Sequence, residues 1–166
     1  MRIPHSAVIV ATGLMLVVVP ARGEPDVFMR AVGYALTGSD NAEPKAIDRA
    51  KCVFGVKKDV FRLNNVHTDR IVIQGWQSKT AYGVEHWVTV ALHGDEVVYE
   101  TTSEPVKDDG SEFVRQLRQY HPESFKPQHT TTKEHELRLD TADQDRVTRA
   151  WKYIYDHGCV GKQSPF

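Results

Sequence analysis

Only two cysteines, Cys52 and Cys159, occur in this chain, and charge of neither sign is in surplus: 21 lysines and arginines stand against 22 aspartates and glutamates. That balance excludes the strongly basic footprint of a nucleic-acid-binding domain and the polybasic cluster of a membrane-surface binder. The short motifs that carry their own chemistry are missing too. There is no His-Glu-x-x-His pair, no Gly-x-Ser-x-Gly elbow and no phosphate-cradling glycine loop. The histidines are scattered. His129 and His135 lie six apart, with Glu134 and Glu136 flanking the second, and make no tight ligand cluster. No dedicated metal site and no cofactor is therefore expected. The one uninterrupted charge-free run, Ala7 to Val19, falls short of the roughly 20 residues a membrane-spanning helix needs.

That run has a different meaning in its setting. Arg2 precedes it, Pro20 breaks it, and Ala21-Arg22-Gly23 places small residues before Glu24. This three-part layout predicts a cleavable secretory signal peptide over residues 1–23. Residues 24–166 then form a single α+β globular domain, exported to a periplasm or the extracellular medium, with no integral membrane segment. Without Arg2 and Arg22 the balance is 19 basic to 22 acidic residues, a net charge of −3.

Export places both cysteines where disulfides persist, and an even count favours a Cys52–Cys159 bond. The rival is a thiol at Cys159 with His157 as its base, in the stretch YDHGCVG. A nucleophilic thiol needs an imidazole within hydrogen-bond reach and a group that orients it. It also needs a positive neighbourhood, and Cys159 follows a helix C-terminus, where the dipole has the wrong sign. The disulfide is the preferred reading, with His157 as a helix-end residue.

Helical spacing of Val27, Phe28, Ala31, Val32, Ala35 and Leu36 predicts a helix over 25–37, which Gly38 ends. Residues 39–50 read as a polar connection. CVFGV and VFRLNNV flank Lys57-Lys58-Asp59 as a hairpin, and RIVIQGWQ (70–77), VEHWVTVAL (84–92) and VVYETT (97–102) read as further strands. Residues 111–120 predict a short helix with Phe113, Val114, Leu117 and Tyr120 on one side, and KEHELRLD (133–140) alternates as a half-buried strand. Thr141 and Gln144 fit a capping box that opens a last helix, buried through Val147, Ala150, Trp151 and Ile154 and stopped by Gly158. The sum is an α+β fold: an antiparallel β-meander of about five or six strands with helices on one face.

In this meander 84–92 is expected to pair with 97–102. Val88, Val90 and Leu92 then share an apolar face with His86, while Glu85, Trp87 and Thr89 join Glu100 on the other. Gln74 and Trp76 turn to that second face. Trp76, Trp87, Gln74, Glu85 and Glu100 form a candidate binding platform, since aromatic rings offer flat contact area and polar neighbours give orientation. The plainer account covers this face and makes both tryptophans part of a second core, and the usual burial of tryptophan favours it. The connection LNNVHTDR holds Asn65, His67 and Asp69, a candidate loop site for acid–base work. Its Asn and Asp are equally ordinary turn residues, and that reading is preferred. Arg146, Arg149 and Lys152 read as a solvated helix face, with Asp145 placed to pair with Arg149. The expected function is non-catalytic binding of another protein or an envelope ligand. The alternative is a small secreted hydrolase using His67 with Asp69, or His157 with Cys159.

Overall fold

The computed structural model describes residues 26–165, so the signal peptide expected over 1–23 lies outside the described residues. Helix α1 spans Val27–Thr37; the Asp26 side chain accepts from the Phe28 amide at 3.1 Å to cap it, and Gly38 ends it at φ 72°. A Cβ there would hold left-handed backbone at a steric cost that glycine avoids.

Eight strands follow in two antiparallel sheets. The first has the order β1 (Lys45–Asp48), β2 (Val53–Val56), β3 (Asp59–Arg62), β6 (Tyr99–Ser103), β7 (Gln128–Thr132). The second has the order β4 (Val72–Thr80), β5 (Gly83–His93), β8 (Glu134–Leu139). Helices α2 (Glu112–Tyr120) and α3 (Gln144–His157) complete the set. The class is α+β with antiparallel sheets, as the pattern of elements predicts. Among the described residues no helix is long and apolar enough to cross a membrane.

The expected pairing of 84–92 with 97–102 does not occur. Strand β5 lies between β4 and β8, and β6 lies between β3 and β7. The cause is local to the segment after β5. Gly94 does not reverse the chain; its amide donates to Lys133 O at 2.9 Å, and the next strand departs into the other sheet. The β7–β8 segment makes the same passage beside it, since Tyr99 pairs with Thr132 and His93 with Glu134. A side chain at Gly94 would meet Val98 Cγ1 at 2.1 Å and the backbone oxygen of Asn65 at 2.8 Å. The close approach of three chain segments requires glycine there.

One core spans both sheets and the helices α1 and α3. Val88, Val90 and Leu92 of β5 and Leu137 and Leu139 of β8 face Val32, Val147, Trp151 and Ile154, while Phe54 and Phe61 contribute from the first sheet. Helix α2 stays outside this core. Of its four apolar residues only Val114 is buried, whereas Phe113 and Tyr120 are 72% and 71% exposed.

Two further differences concern termini of elements. The capping box expected at Thr141 and Gln144 does not form. Asp143 caps α3 by accepting from the Arg146 amide at 2.8 Å. Gln144 turns instead to the edge of β4, accepting from Gly75 N at 3.0 Å and donating to Ile73 O at 3.1 Å. Its amide thus occupies the place of one peptide unit of a neighbouring strand and covers part of an edge that would otherwise be open. Residues 45–48, read as part of a polar connection, and 128–132, given no element from the sequence, are strands at the two edges of the first sheet.

Candidate functional site

Strand β5 is longer than its partner β8, and that mismatch creates the most distinctive surface. Pairing with β8 begins at Val88, opposite Leu139, whereas pairing with β4 runs out to Thr80 opposite Gly83. The hairpin end from residue 76 to residue 87 therefore extends past the third strand, and none of its side chains is buried. Trp76 and Trp87 are direct partners across this hairpin. Directly opposed residues share a face, so Gln74 with Thr89 and Ser78 with Glu85 lie on the same side as the tryptophans. Trp76 is 45% exposed and its Nε1 donates to Thr89 Oγ1 at 2.9 Å, which holds the indole against the sheet. The Arg138 guanidinium sits 4.4 Å from the Trp87 ring centre, a cation–π contact. Hollows open on both sides, one bounded by Glu85, Trp87, Arg138 and Asp140, the other by Gly75, Trp76, His86 and Gln144. Among the described residues no helix or loop buries Trp76, and Trp87 is half-buried.

Glu100 is not part of this surface. It lies on β6 in the other sheet, where it accepts from Arg62 Nε at 3.0 Å. Arg138, Asp140 and Gln144 are the neighbours that the sequence did not indicate. Their register to β4 and β5 depends on the β5–β8 pairing, which spans more than forty residues of chain.

The loop residues serve a different arrangement. The C-terminal tail after α3 lies along residues 64–69. Asn64 Oδ1 accepts from Val160 N at 2.8 Å, Lys162 N donates to Val66 O at 2.9 Å, and Thr68 N donates to Lys162 O at 2.9 Å. Asn65 Nδ2 bonds Glu96 Oε2 at 3.1 Å and Val97 O at 3.3 Å. His67 is 6% exposed, and its Nε2 bonds Asp95 rather than Asp69. The same Asp95 carboxylate takes Lys162 Nζ at 3.4 Å. Asp69 accepts from the Ser164 amide at 3.2 Å. Thus His67 and Asp69 reach the tail through separate partners.

Both tail-holding carboxylates are kept below the usual carboxylate range, Asp69 chiefly by its hydrogen bond with Ser164 and Asp95 chiefly by that with His67. A carboxyl whose pKa is depressed by folding supports the fold fully above its unfolded value and loses that support as pH falls through the folded value. Acid therefore loosens the tail. In ¹⁵N spectra recorded from about pH 6 down to about pH 2, the Ser164 amide resonance moves to its unfolded position below the usual carboxylate range of about 4. The Asp69→Asn/Asp95→Asn variant shows no such transition. A transition unchanged in that variant contradicts this assignment.

The stretch YDHGCVG contains no thiol. Cys52 and Cys159 form a disulfide with Cα atoms 5.7 Å apart, and both residues are buried. His157 occupies the last turn of α3, its Nδ1 3.0 Å from Tyr153 O and its ring stacked 3.9 Å from the Tyr153 ring centre. Of the two histidines considered as metal ligands, His129 bonds Thr102 Oγ1 and His135 stacks on Tyr99, where burial lowers its pKa. Among the described residues no group of three or more metal-ligating side chains converges.

No protein family matches this chain, and neither a curated protein nor a solved structure does.

Proposed function

We propose that the protein is a non-catalytic binding module, exported to a periplasm or the extracellular medium, which holds a partner protein or an envelope ligand on the end of the β4–β5 hairpin. The observation that carries this reading is the Trp76–Trp87 pair on a hairpin that outruns its third strand. Contiguous apolar area left open on a small domain marks an interaction surface more often than chance, and tryptophan is enriched among residues that dominate binding energy. Gln74 and Glu85 on the same face, with Arg138 over Trp87, supply the polar groups that orient a ligand. The leader-like residues 1–23 and the disulfide support the exported setting.

The hydrolase alternative has one observation in its favour, the buried His67–Asp95 pair. The imidazole's Nε2 is occupied by Asp95, and its Nδ1 is buried with no partner among the described residues. Neither nitrogen is presented to a substrate, so binding remains the better-supported reading.

The test compares wild type with Trp76→Ala/Trp87→Ala, each immobilised and exposed to a detergent-solubilised envelope fraction of the source cell. Wild type retains a specific component with a finite dissociation constant, and the double variant weakens that constant at least tenfold while its melting temperature stays within a few degrees. Equal retention by both proteins removes the hairpin from the reading. Turnover of a hydrolase substrate that His67→Ala abolishes would favour the alternative.

A further inference from the structure

We propose a second site, an anion-binding cleft between α1 and α3 that takes a small phosphate monoester with a short apolar body. The cleft has a volume of about 320 Å³, at the lower end of the roughly 300–1,000 Å³ of small-molecule sites. Residues at helical spacing on each helix build it. Arg30, Ala31 and Tyr34 come from α1; Arg146, Arg149, Ala150 and Tyr153 come from α3. The two alanines leave the gap open where larger side chains would close it, and the tyrosines give it flat walls.

Three arginines and one carboxylate, Asp40, line this one hollow, and Asp40 neutralises only Arg146. Arg146 makes a two-pronged contact with Asp40, with Nη1 2.9 Å from Oδ2 and Nη2 on Oδ1. Its guanidinium also lies 4.0 Å from the Tyr34 ring centre, and Tyr34 is in turn buried and bonded to Thr141 Oγ1 at 3.2 Å. That wall is held in place. Arg30 and Arg149 differ: among the described residues neither has a carboxylate within 4 Å, and neither side chain donates a hydrogen bond. The expected pairing of Asp145 with Arg149 does not form, and Arg149 borders the cleft instead.

A guanidinium presents parallel N–H groups that match two oxygens of one anion. Two arginines without a carboxylate partner on one cleft match the two negative charges of a phosphate monoester better than the single charge of a carboxylate. The apolar part of the ligand lies on Ala31 and Ala150 between the tyrosine rings. Binding needs no movement of Arg146, whose place is set by Asp40 and Tyr34.

Phenyl phosphate is the probe, titrated into the oxidised protein by calorimetry and ¹⁵N spectroscopy. Saturable binding is expected, with the largest shifts at Ala31 and Ala150. Inorganic phosphate, benzoate and phenol each bind at least several-fold more weakly, because each lacks the apolar body, the second charge or the anion. Arg30→Gln and Arg149→Gln each weaken phenyl phosphate about tenfold or more, the ratio for one charge-assisted hydrogen bond to a phosphate. Lys152→Gln, on the same helix but paired with Asp156, leaves the affinity unchanged. Both arginines are exposed, so the variants melt with wild type; Arg149→Lys, which keeps charge and loses the fork, binds between wild type and Arg149→Gln. No saturable response up to about 10 mM, or an equal loss in Lys152→Gln, overturns the site. Inorganic phosphate binding as tightly as phenyl phosphate overturns the ligand class.

Discussion

The Cys52→Ser/Cys159→Ser variant loses about 3–5 kcal/mol of stability. The bond closes a loop with a sequence separation of 107 residues, and in the chain-entropy account a loop of that size restricts the unfolded chain by nearly 5 kcal/mol. The bond also restrains native structure at both of its ends. Cys159 is where the chain leaves α3 and begins the tail that lies on residues 64–69. Cys52 adjoins the start of β2 and holds a positive φ of 52°, a conformation few non-glycine residues adopt. Cutting the bond thus releases one end of the tail and removes the restraint on that backbone. For a domain of this size the melting temperature falls by roughly 10–15 °C. Denaturant melts of wild type with and without reductant, beside the double serine variant, measure it. Reduced wild type and the variant then melt together; a variant that melts with oxidised wild type contradicts the account.

Phe54→Ala costs about 3–5 kcal/mol, the range for removing a large aromatic from a tight core. Phe54 is fully buried, pairs with Phe61 across β2 and β3, and lies 5.9 Å from the Phe28 ring centre on α1. It therefore joins the five-stranded sheet to the first helix. Trp76→Ala is the comparison. Trp76 is the larger side chain, yet it is 45% exposed, so its removal costs no more than about 1 kcal/mol, the scale of one cross-strand pair. Urea melts of the two variants separate packing from surface: a loss for Trp76→Ala as large as that for Phe54→Ala would place the indole in a core and remove it from the binding surface.

The faces of β5 and β8 were legible because alternation is a local property. Val88, Val90 and Leu92 are buried and Trp87 and Thr89 are not, as the two-residue period requires. The edge strands β1 and β7 were not legible, since nearly all their residues are exposed and no alternation marks a strand that contacts the core so little. Helix α2 misled in the opposite sense: its apolar spacing is helical, but no partner covers Phe113 and Tyr120. The loop LNNVHTDR looked like a place for acid–base chemistry; its Asn64 and Asp69 side chains are engaged by a tail about 95 residues away, and its Asn65 and His67 by residues 95–97.

By itself the sequence determined the α+β class, the helix stops, the buried stripe of α3 and the disulfide partners, because each depends on local period, on a glycine or on a count of two. Tertiary structure alone decided the division into two sheets. The passage at Gly94 is governed by contacts with Asn65 and Lys133, and no window of local sequence contains them. It alone also separated Glu100 from the tryptophans, left the hairpin end uncovered, and brought Arg30 to the same cleft as Arg149. Each of these depends on which distant segments meet, and that is settled by burial of the whole core.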